Sequence, residues 1–340
     1  MSTHRVAYGG CAAIALASML AFPSGAHAQG GKTFVMKLST ATINDTQHEW
    51  LRRFTAAVEK DSGGRIKGEI YPASQLGSIP RQIEGVQFGS IQAWIGPPEF
   101  LVGVDERYEA LSAPGLFTSM DQDLRVIWDP AVRDMILGLG GNKGLAGIGI
   151  NPIGPSSIVA RKPYRHLAEF KGTKIRVLAS PFQLEMIKRM DASPIAMTLA
   201  DVLPALQQGA IDAALSSIAV YTTMQYQDAA KYVVDIDQPY ISSIIEMSKK
   251  WLDGLPADLQ KVVRDDAESV SKELVPFVKE FSTKQRQLWT EHGGELASLS
   301  EADKAALIAK VSSVAFDLSK SKPDLNKAVV TVFDSAKRNK

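Results

Sequence analysis

Cysteine is nearly missing from this 340-residue sequence: the one instance, Cys11, stands in the apolar stretch near the amino terminus. Past that stretch no disulfide framework and no cysteine-based metal site can form, so the fold must rest on its hydrophobic core. Histidine is scarce too. After residue 28 only His48, His166 and His292 occur, too far apart for metal-ligand spacing. An excess of one charge is also lacking, with Lys+Arg 38 against Asp+Glu 37, which excludes the basic footprint of a nucleic-acid-binding domain.

Long apolar runs are absent after residue 28, where none approaches the roughly 18 residues of a membrane-spanning helix. The chain also lacks H-E-x-x-H, G-x-S-x-G, a Walker loop and a G-x-G-x-x-G following a strand. Gly138, Gly140, Gly141 and Gly144 imitate a phosphate loop but have no Lys-Ser/Thr pair after them. Three carboxylate pairs remain. Asp121/Asp123 reads as helix capping and Asp265/Asp266 as a solvated face, and neither these nor Asp235/Asp237 has the pattern of a calcium loop. No catalytic residue, metal site or cofactor is expected.

What is present starts with residues 1–28. Arg5, the apolar stretch from Cys11 to Phe22 and the small-x-small triplet Ala26-His27-Ala28 form the pattern of a secretory signal peptide cleaved near Ala28. Cys11 opens the apolar stretch instead of following it, which argues against lipid attachment. An exported chain of this size without disulfides fits a bacterial periplasm, and its product is expected not to be membrane-embedded.

From residue 33 the pattern is strand (33–38), helix (48–61), strand (66–71), helix (80–88), strand (91–95), the order of a parallel-type α/β sheet. A Gly/Pro-rich zone, 138–155, follows, and the pattern then restarts: strand 175–178, helix 181–190, short strand 195–197, helix 200–208, strand 211–215. Two α/β units joined by connecting strands leave a cleft at the carboxyl ends of their strands, where ligands of such sheets sit. Residues 257–292 read as one helix bent near Pro276, roughly 50 Å long at about 1.5 Å per residue and long enough to lie across both units.

Within the strand 175–178 stands Arg176. Burying an arginine in a short apolar strand is costly unless a carboxylate or phosphate pairs with it. Two partners fit: a cross-strand Asp or Glu in a structural ion pair, or an anionic ligand.

Longer blocks surround it. Ser62-Gly63-Gly64-Arg65-Ile66-Lys67-Gly68-Glu69-Ile70-Tyr71-Pro72-Ala73-Ser74-Gln75-Leu76-Gly77-Ser78, Lys171-Gly172-Thr173-Lys174-Ile175-Arg176-Val177, Ala205-Leu206-Gln207-Gln208-Gly209-Ala210-Ile211-Asp212 and Ser248-Lys249-Lys250-Trp251-Leu252-Asp253-Gly254-Leu255-Pro256 occur in this order. Together they resemble the solute-binding proteins of TRAP transporters, the DctP-like family, from about residue 32 to 295. The resemblance implies a two-domain α/β periplasmic binding protein with a hinged inter-domain cleft. It would capture an organic acid, close over it and deliver it to the membrane permease subunits. The expected boundaries are 29–153 with 239–278 for one domain and 154–238 with 279–340 for the other, the long helix being shared. Hinge segments are expected near 151–154 and 234–239. A monomer is expected, with pairing through the long helix as the alternative.

The resemblance also implies site residues. Arg176 occupies the position that pairs with the ligand carboxylate. Trp94, Pro97 and Phe100 fall in a ligand-contacting loop, and Leu199 stands where an aromatic often lines the pocket. Ser216 replaces an asparagine that helps hold the carboxylate. Ser156 falls in the stretch 153–157, where a second arginine is often placed and none occurs here. His48 is the one histidine retained as a candidate. One arginine among apolar walls suits a monocarboxylate with an aromatic or hydrophobic body. The competing readings are an exported enzyme with Arg176 as substrate clamp, and a ligand sensor for a membrane receptor kinase.

Overall fold

Residues 32–340 are described by the computed structural model; the expected signal peptide, 1–28, lies outside them. Strand β1 (Phe34–Thr40) leads into α1 (Thr46–Asp61), whose entry is fixed by Asp45 accepting the His48 N–H at 3.0 Å. After the Gly63-Gly64 stop come β2 (Ile66–Tyr71), α2 (Ile79–Phe88) and β3 (Ala93–Gly96). Gly89, at φ 85°, ends α2 in the left-handed conformation that glycine alone adopts without strain. Short 3₁₀ turns at Pro98–Leu101 and Glu106–Ser112 then precede α3 (Met120–Ile127) and α4 (Pro130–Leu137).

The zone rich in glycine and proline does not end the first unit. From Leu145 it becomes β4 (Leu145–Ala160), sixteen residues long. Proline in a central strand removes a ladder hydrogen bond and is admitted mainly at bulges. Pro152 and Pro155 each stand at a register shift against the facing strand, which is why the periodicity could not be seen as a strand in the sequence.

The second half runs β5 (Lys174–Val177), α5 (Pro181–Arg189), β6 (Ser193–Ala196), α6 (Leu199–Gln208), β7 (Ala213–Ser216) and α7 (Ile218–Thr223). Strand β8 (Tyr232–Ser248) then returns alongside β4 over its whole length. After α8 (Lys249–Asp253), α9 (Ala257–Glu291) and β9 (Glu295–Ser298), the chain closes with α10 (Glu301–Val311), α11 (Val314–Ser319) and α12 (Pro323–Arg338).

All nine strands among the described residues belong to one sheet, in the order β2-β1-β3-β8-β4-β7-β5-β6, with β9 added to β8. The antiparallel pair β4/β8 is its spine. At one end β8 pairs with β3 and so carries the first α/β half; at the other β4 pairs with β7 and carries the second. Both expected hinge segments, 151–154 and 234–239, lie inside these paired strands, beside the register shifts at 152/154 and 155/157.

Helix α9 binds the halves from outside. Leu259, Val263, Ala267, Val270, Leu274 and Val278 repeat at three- and four-residue steps, forming a stripe buried against α1 and the sheet. Its far end delivers Trp289 to Tyr221 of α7. Pro276 sits within it without ending it. Two of the acidic pairs depart from their expected roles. Ser119, not an aspartate, caps α3; Asp121 pairs with Lys279, while Asp123 is wholly buried. Asp266 is likewise buried, so the pair 265/266 is not simply a solvated face. Asp235 forms two hydrogen bonds with Arg286, at 2.9 and 2.7 Å, and Asp237 pairs with Lys304.

Candidate functional site

Arg176 points from β5 into the interior and is 1 % exposed. Its Nε donates to Met197 O and its Nη1 to Leu215 O, both at 3.0 Å, so carbonyls just past β6 and in β7 fix the plane of the guanidinium. Nη2 has no hydrogen-bond partner among the described residues. Nor does any carboxylate among them lie within 4.0 Å, the reach of an ion pair. The cross-strand salt bridge that would make this arginine structural is therefore not formed. Burial, with only distant compensation from Tyr226, Tyr221 and Glu99, pulls its pKa down.

The guanidinium opens on a small cavity lined by seventeen residues. The lining comes from both halves of the sheet. Ala41 and Thr42 follow β1, Gly96 and Pro97 end β3, Leu178 follows β5, and Ser216 and Ser217 end β7. Each sits at the carboxyl end of a strand, where an α/β sheet leaves its loops free to meet a ligand. Gln47 of α1, Ile79 of α2, Leu199 of α6 and Val220 of α7 complete the wall, and Ile153 and Ile241 of the spine form its floor. Among the described residues lining it, Arg176 is the one that carries a charge.

Of the residues selected from sequence, Arg176, Ser216, Trp94, Pro97, Phe100 and Leu199 are brought together around this cavity. Two are placed elsewhere. The Ser156 hydroxyl donates into the spine, 2.6 Å from Gln238 O and 2.8 Å from Pro239 O, because its register sets it against β8. His48 faces its own helix entry, where Nδ1 accepts the Asn44 N–H at 3.1 Å; burial and nearby Arg52 hold its pKa below the ordinary value. The neighbouring Gln47 lines the cavity instead. Gln47 and Thr42 carried no motif, and only their position just after β1 could have marked them.

Gly96 has a steric role. A Cβ there would lie 2.2 Å from Trp94 Cζ2 and 2.7 Å from Cη2, and the indole is fully buried. Gly96→Ala is expected to displace the indole, lower ligand affinity about tenfold and cost about 1–3 kcal/mol of stability. Titration calorimetry and thermal melts on the variant check both.

Behind the cavity two buried acids join the halves. Glu109 accepts the Ser180 hydroxyl at 2.7 Å and the Phe182 N–H at the start of α5, and Glu99 accepts Gln183 Nε2 at 3.2 Å. Burial pushes both carboxyls up to about 7.

Residues 38–321 match the model of the bacterial extracellular solute-binding proteins, family 7, known as DctP. The chain belongs to that family. It is thus one of the TRAP solute-binding proteins, which bind organic acids and are not enzymes. It is similar to the YiiZ protein of Salmonella typhimurium, 28 % identical over 79 % of this chain and 79 % of that one. Similar too is the C4-dicarboxylate-binding periplasmic protein DctP of Rhodobacter capsulatus, 26 % identical over 76 % of this chain and 77 % of that one. A TRAP periplasmic solute-binding protein from Desulfovibrio salexigens, solved with bound orotic acid, superposes with a TM-score of 0.86. It is 20 % identical, and the match covers 91 % of this chain and all of that one, which establishes a common two-domain α/β fold. Among the described residues no helix of this family-7 protein is long and apolar enough to cross a membrane.

Proposed function

We propose that this family-7 protein is the periplasmic receptor of a TRAP-type transporter, taking up a monocarboxylate with an aromatic or hydrophobic body. The observation that carries the reading is the charge count of the cavity: one buried arginine without a carboxylate partner, surrounded by Trp94, Phe100, Ile79 and other apolar groups. A ligand carboxylate reaching Arg176 completes the guanidinium's hydrogen bonds and neutralises a charge already desolvated in the empty site. A second carboxylate would meet no cation in the lining. The ligands named for two of the similar proteins, a C4-dicarboxylate and orotic acid, share a carboxyl group with this class.

Capture involves closure of one half, 29–153 with 239–278, on the other, 154–238 with 279–340. The bulged part of the β4/β8 spine takes up the rotation, and α9 bends near Pro276. The closed form then delivers the acid to the permease subunits; the receptor itself acts as a monomer and uses no cofactor. Export follows cleavage of the signal peptide near Ala28.

A thermal-shift panel of aromatic, aliphatic, keto, hydroxy and dicarboxylic acids tests the reading. Monocarboxylates are expected to stabilise by about 2.7 kcal/mol at a hundredfold excess over Kd, a shift of several degrees. A dicarboxylate as the sole strong hit would contradict it.

A further inference from the structure

Two residues on the first-half wall of the cavity hold buried polar atoms with no hydrogen-bond partner. Trp94, 0 % exposed, leaves its Nε1–H donor unpaired, and Gln47, 3 % exposed, leaves its Oε1 acceptor unpaired. Such groups are normally satisfied, and each left alone costs about 1–3 kcal/mol. The Gln47 amide is not free to exchange its ends. Its Nε2 already donates to Thr42 Oγ1 and to Asp45 Oδ2, both at 3.3 Å, so an acceptor is what remains on the other side.

A donor and an acceptor, on two residues that line the cavity from the first half, are thus both owed a partner. A carbonyl oxygen answers only Trp94. A hydrocarbon answers neither. A hydroxyl answers both, accepting from the indole N–H while donating to the amide oxygen.

We propose, building on the monocarboxylate reading above, that the ligand carries one hydroxyl besides its carboxylate: it is a small hydroxy monocarboxylate with an otherwise apolar body. The carboxylate is held by the second half through Arg176, and the hydroxyl by the first half through Trp94 and Gln47. Neither half alone recognises both groups, so only the closed form distinguishes the hydroxy acid from its deoxy and keto relatives. Ser217, on the second-half side, keeps a further unpartnered hydroxyl that can join Arg176 at the carboxylate.

Titration calorimetry on the signal-free chain tests this with four acids of one carbon skeleton: 3-methylbutanoate, 3-methyl-2-oxobutanoate, 2-hydroxy-3-methylbutanoate and 3-hydroxy-3-methylbutanoate. At least one hydroxy acid is expected to bind about tenfold or more tighter than both the keto and the unsubstituted acid, since its loss strands two buried groups. In Trp94→Phe and in Gln47→Leu, folding being verified by circular dichroism, that ratio is expected to fall to about threefold or less. Should either variant fail to fold, the wild-type ratios alone decide. Equal binding of the unsubstituted or keto acid by the wild-type chain overturns the hydroxyl assignment and leaves the monocarboxylate reading standing. Binding of none of the four, by a chain that melts cooperatively, overturns the hydroxyl assignment as drawn for this cavity. Binding of none together with dicarboxylates stabilising the chain overturns the monocarboxylate reading as well.

Discussion

Arg176→Met is expected to reduce carboxylate binding by at least about two orders of magnitude, since removing one partner of a buried, hydrogen-bonded charge pair costs about 2–5 kcal/mol. The same substitution should leave the ligand-free protein close to wild-type stability. In the empty site the guanidinium is desolvated, unpaired with any carboxylate among the described residues, and depressed in pKa by that burial. Removing an uncompensated buried charge relieves that penalty, while two carbonyls, Met197 O and Leu215 O, lose their donors. The opposing effects are each about 1–3 kcal/mol, so the net change stays within about 2 kcal/mol. Arg176→Lys keeps the charge but not the planar fork, and is expected to bind at least about tenfold more weakly than wild type. Calorimetry with an acid found by thermal shift, alongside urea melts of the empty proteins, checks both halves of the expectation. Undiminished affinity in the methionine variant would move the anchor elsewhere; a collapse of stability without ligand would make the arginine structural.

Arg176 was legible in the sequence because its chemistry is local: a guanidinium amid Ile175, Val177 and Leu178 is costly in any fold that buries the strand. Trp94, Pro97, Phe100, Leu199 and Ser216 were legible for another reason, since they stand beside strand ends that periodicity and family blocks both locate. Residue type and neighbourhood point to Ser156 and His48, but hydrogen bonds that depend on the fold engage both elsewhere. Ser156 is turned to β8 by register, and His48 is held at its helix entry by Asn44. Gln47 carries no signal in the sequence, because a buried glutamine acquires meaning only when its amide end is tied to Asp45 and its oxygen is left over. The spine was obscured for a physical reason as well. Bulges at Pro152 and Pro155 break the two-residue alternation that reveals a strand, yet these bulged strands are what joins the halves. The helices from 301 onward lie past the four sequence blocks that carry the resemblance, although α12 packs on α3, α4 and the turn at 106–112.

Stability is expected to fall as pH rises from about 5 to 8, the reverse of the trend expected of a protein held together by salt bridges. Four buried carboxyls account for it. Burial raises Glu99 and Glu109 to about 7, and Glu246 and Asp123 to about 8. In the unfolded chain these groups lose their protons near 4.5 for Glu and 3.8 for Asp. Between those limits the native state holds more protons than the unfolded state. Its advantage is complete below the unfolded values and is lost as pH passes the folded ones. Each group contributes on the order of 1–3 kcal/mol to the loss, so Tm should drop by about 5–15 °C between pH 5 and pH 8. Acids held low by partners, such as Asp105 with Arg107 and Asp129 with Ser335, act in the opposite sense only below pH 4. The Glu246→Gln variant separates this cause from general charge effects. Its amide can still take the Tyr108 hydroxyl that Glu246 accepts at 2.8 Å, but it has no proton to lose. Relative to wild type it is expected to melt about 2–5 °C higher at pH 8 and nearly unchanged at pH 5. Melts of both proteins across this range decide the matter, and a flat or rising wild-type profile would show that these acids are ionised in the native core. Glu99 and Glu109 make the same titration relevant to binding, because the bonds they accept from Gln183, Ser180 and Phe182 tie the wall of one half to the helix beside Arg176 in the other.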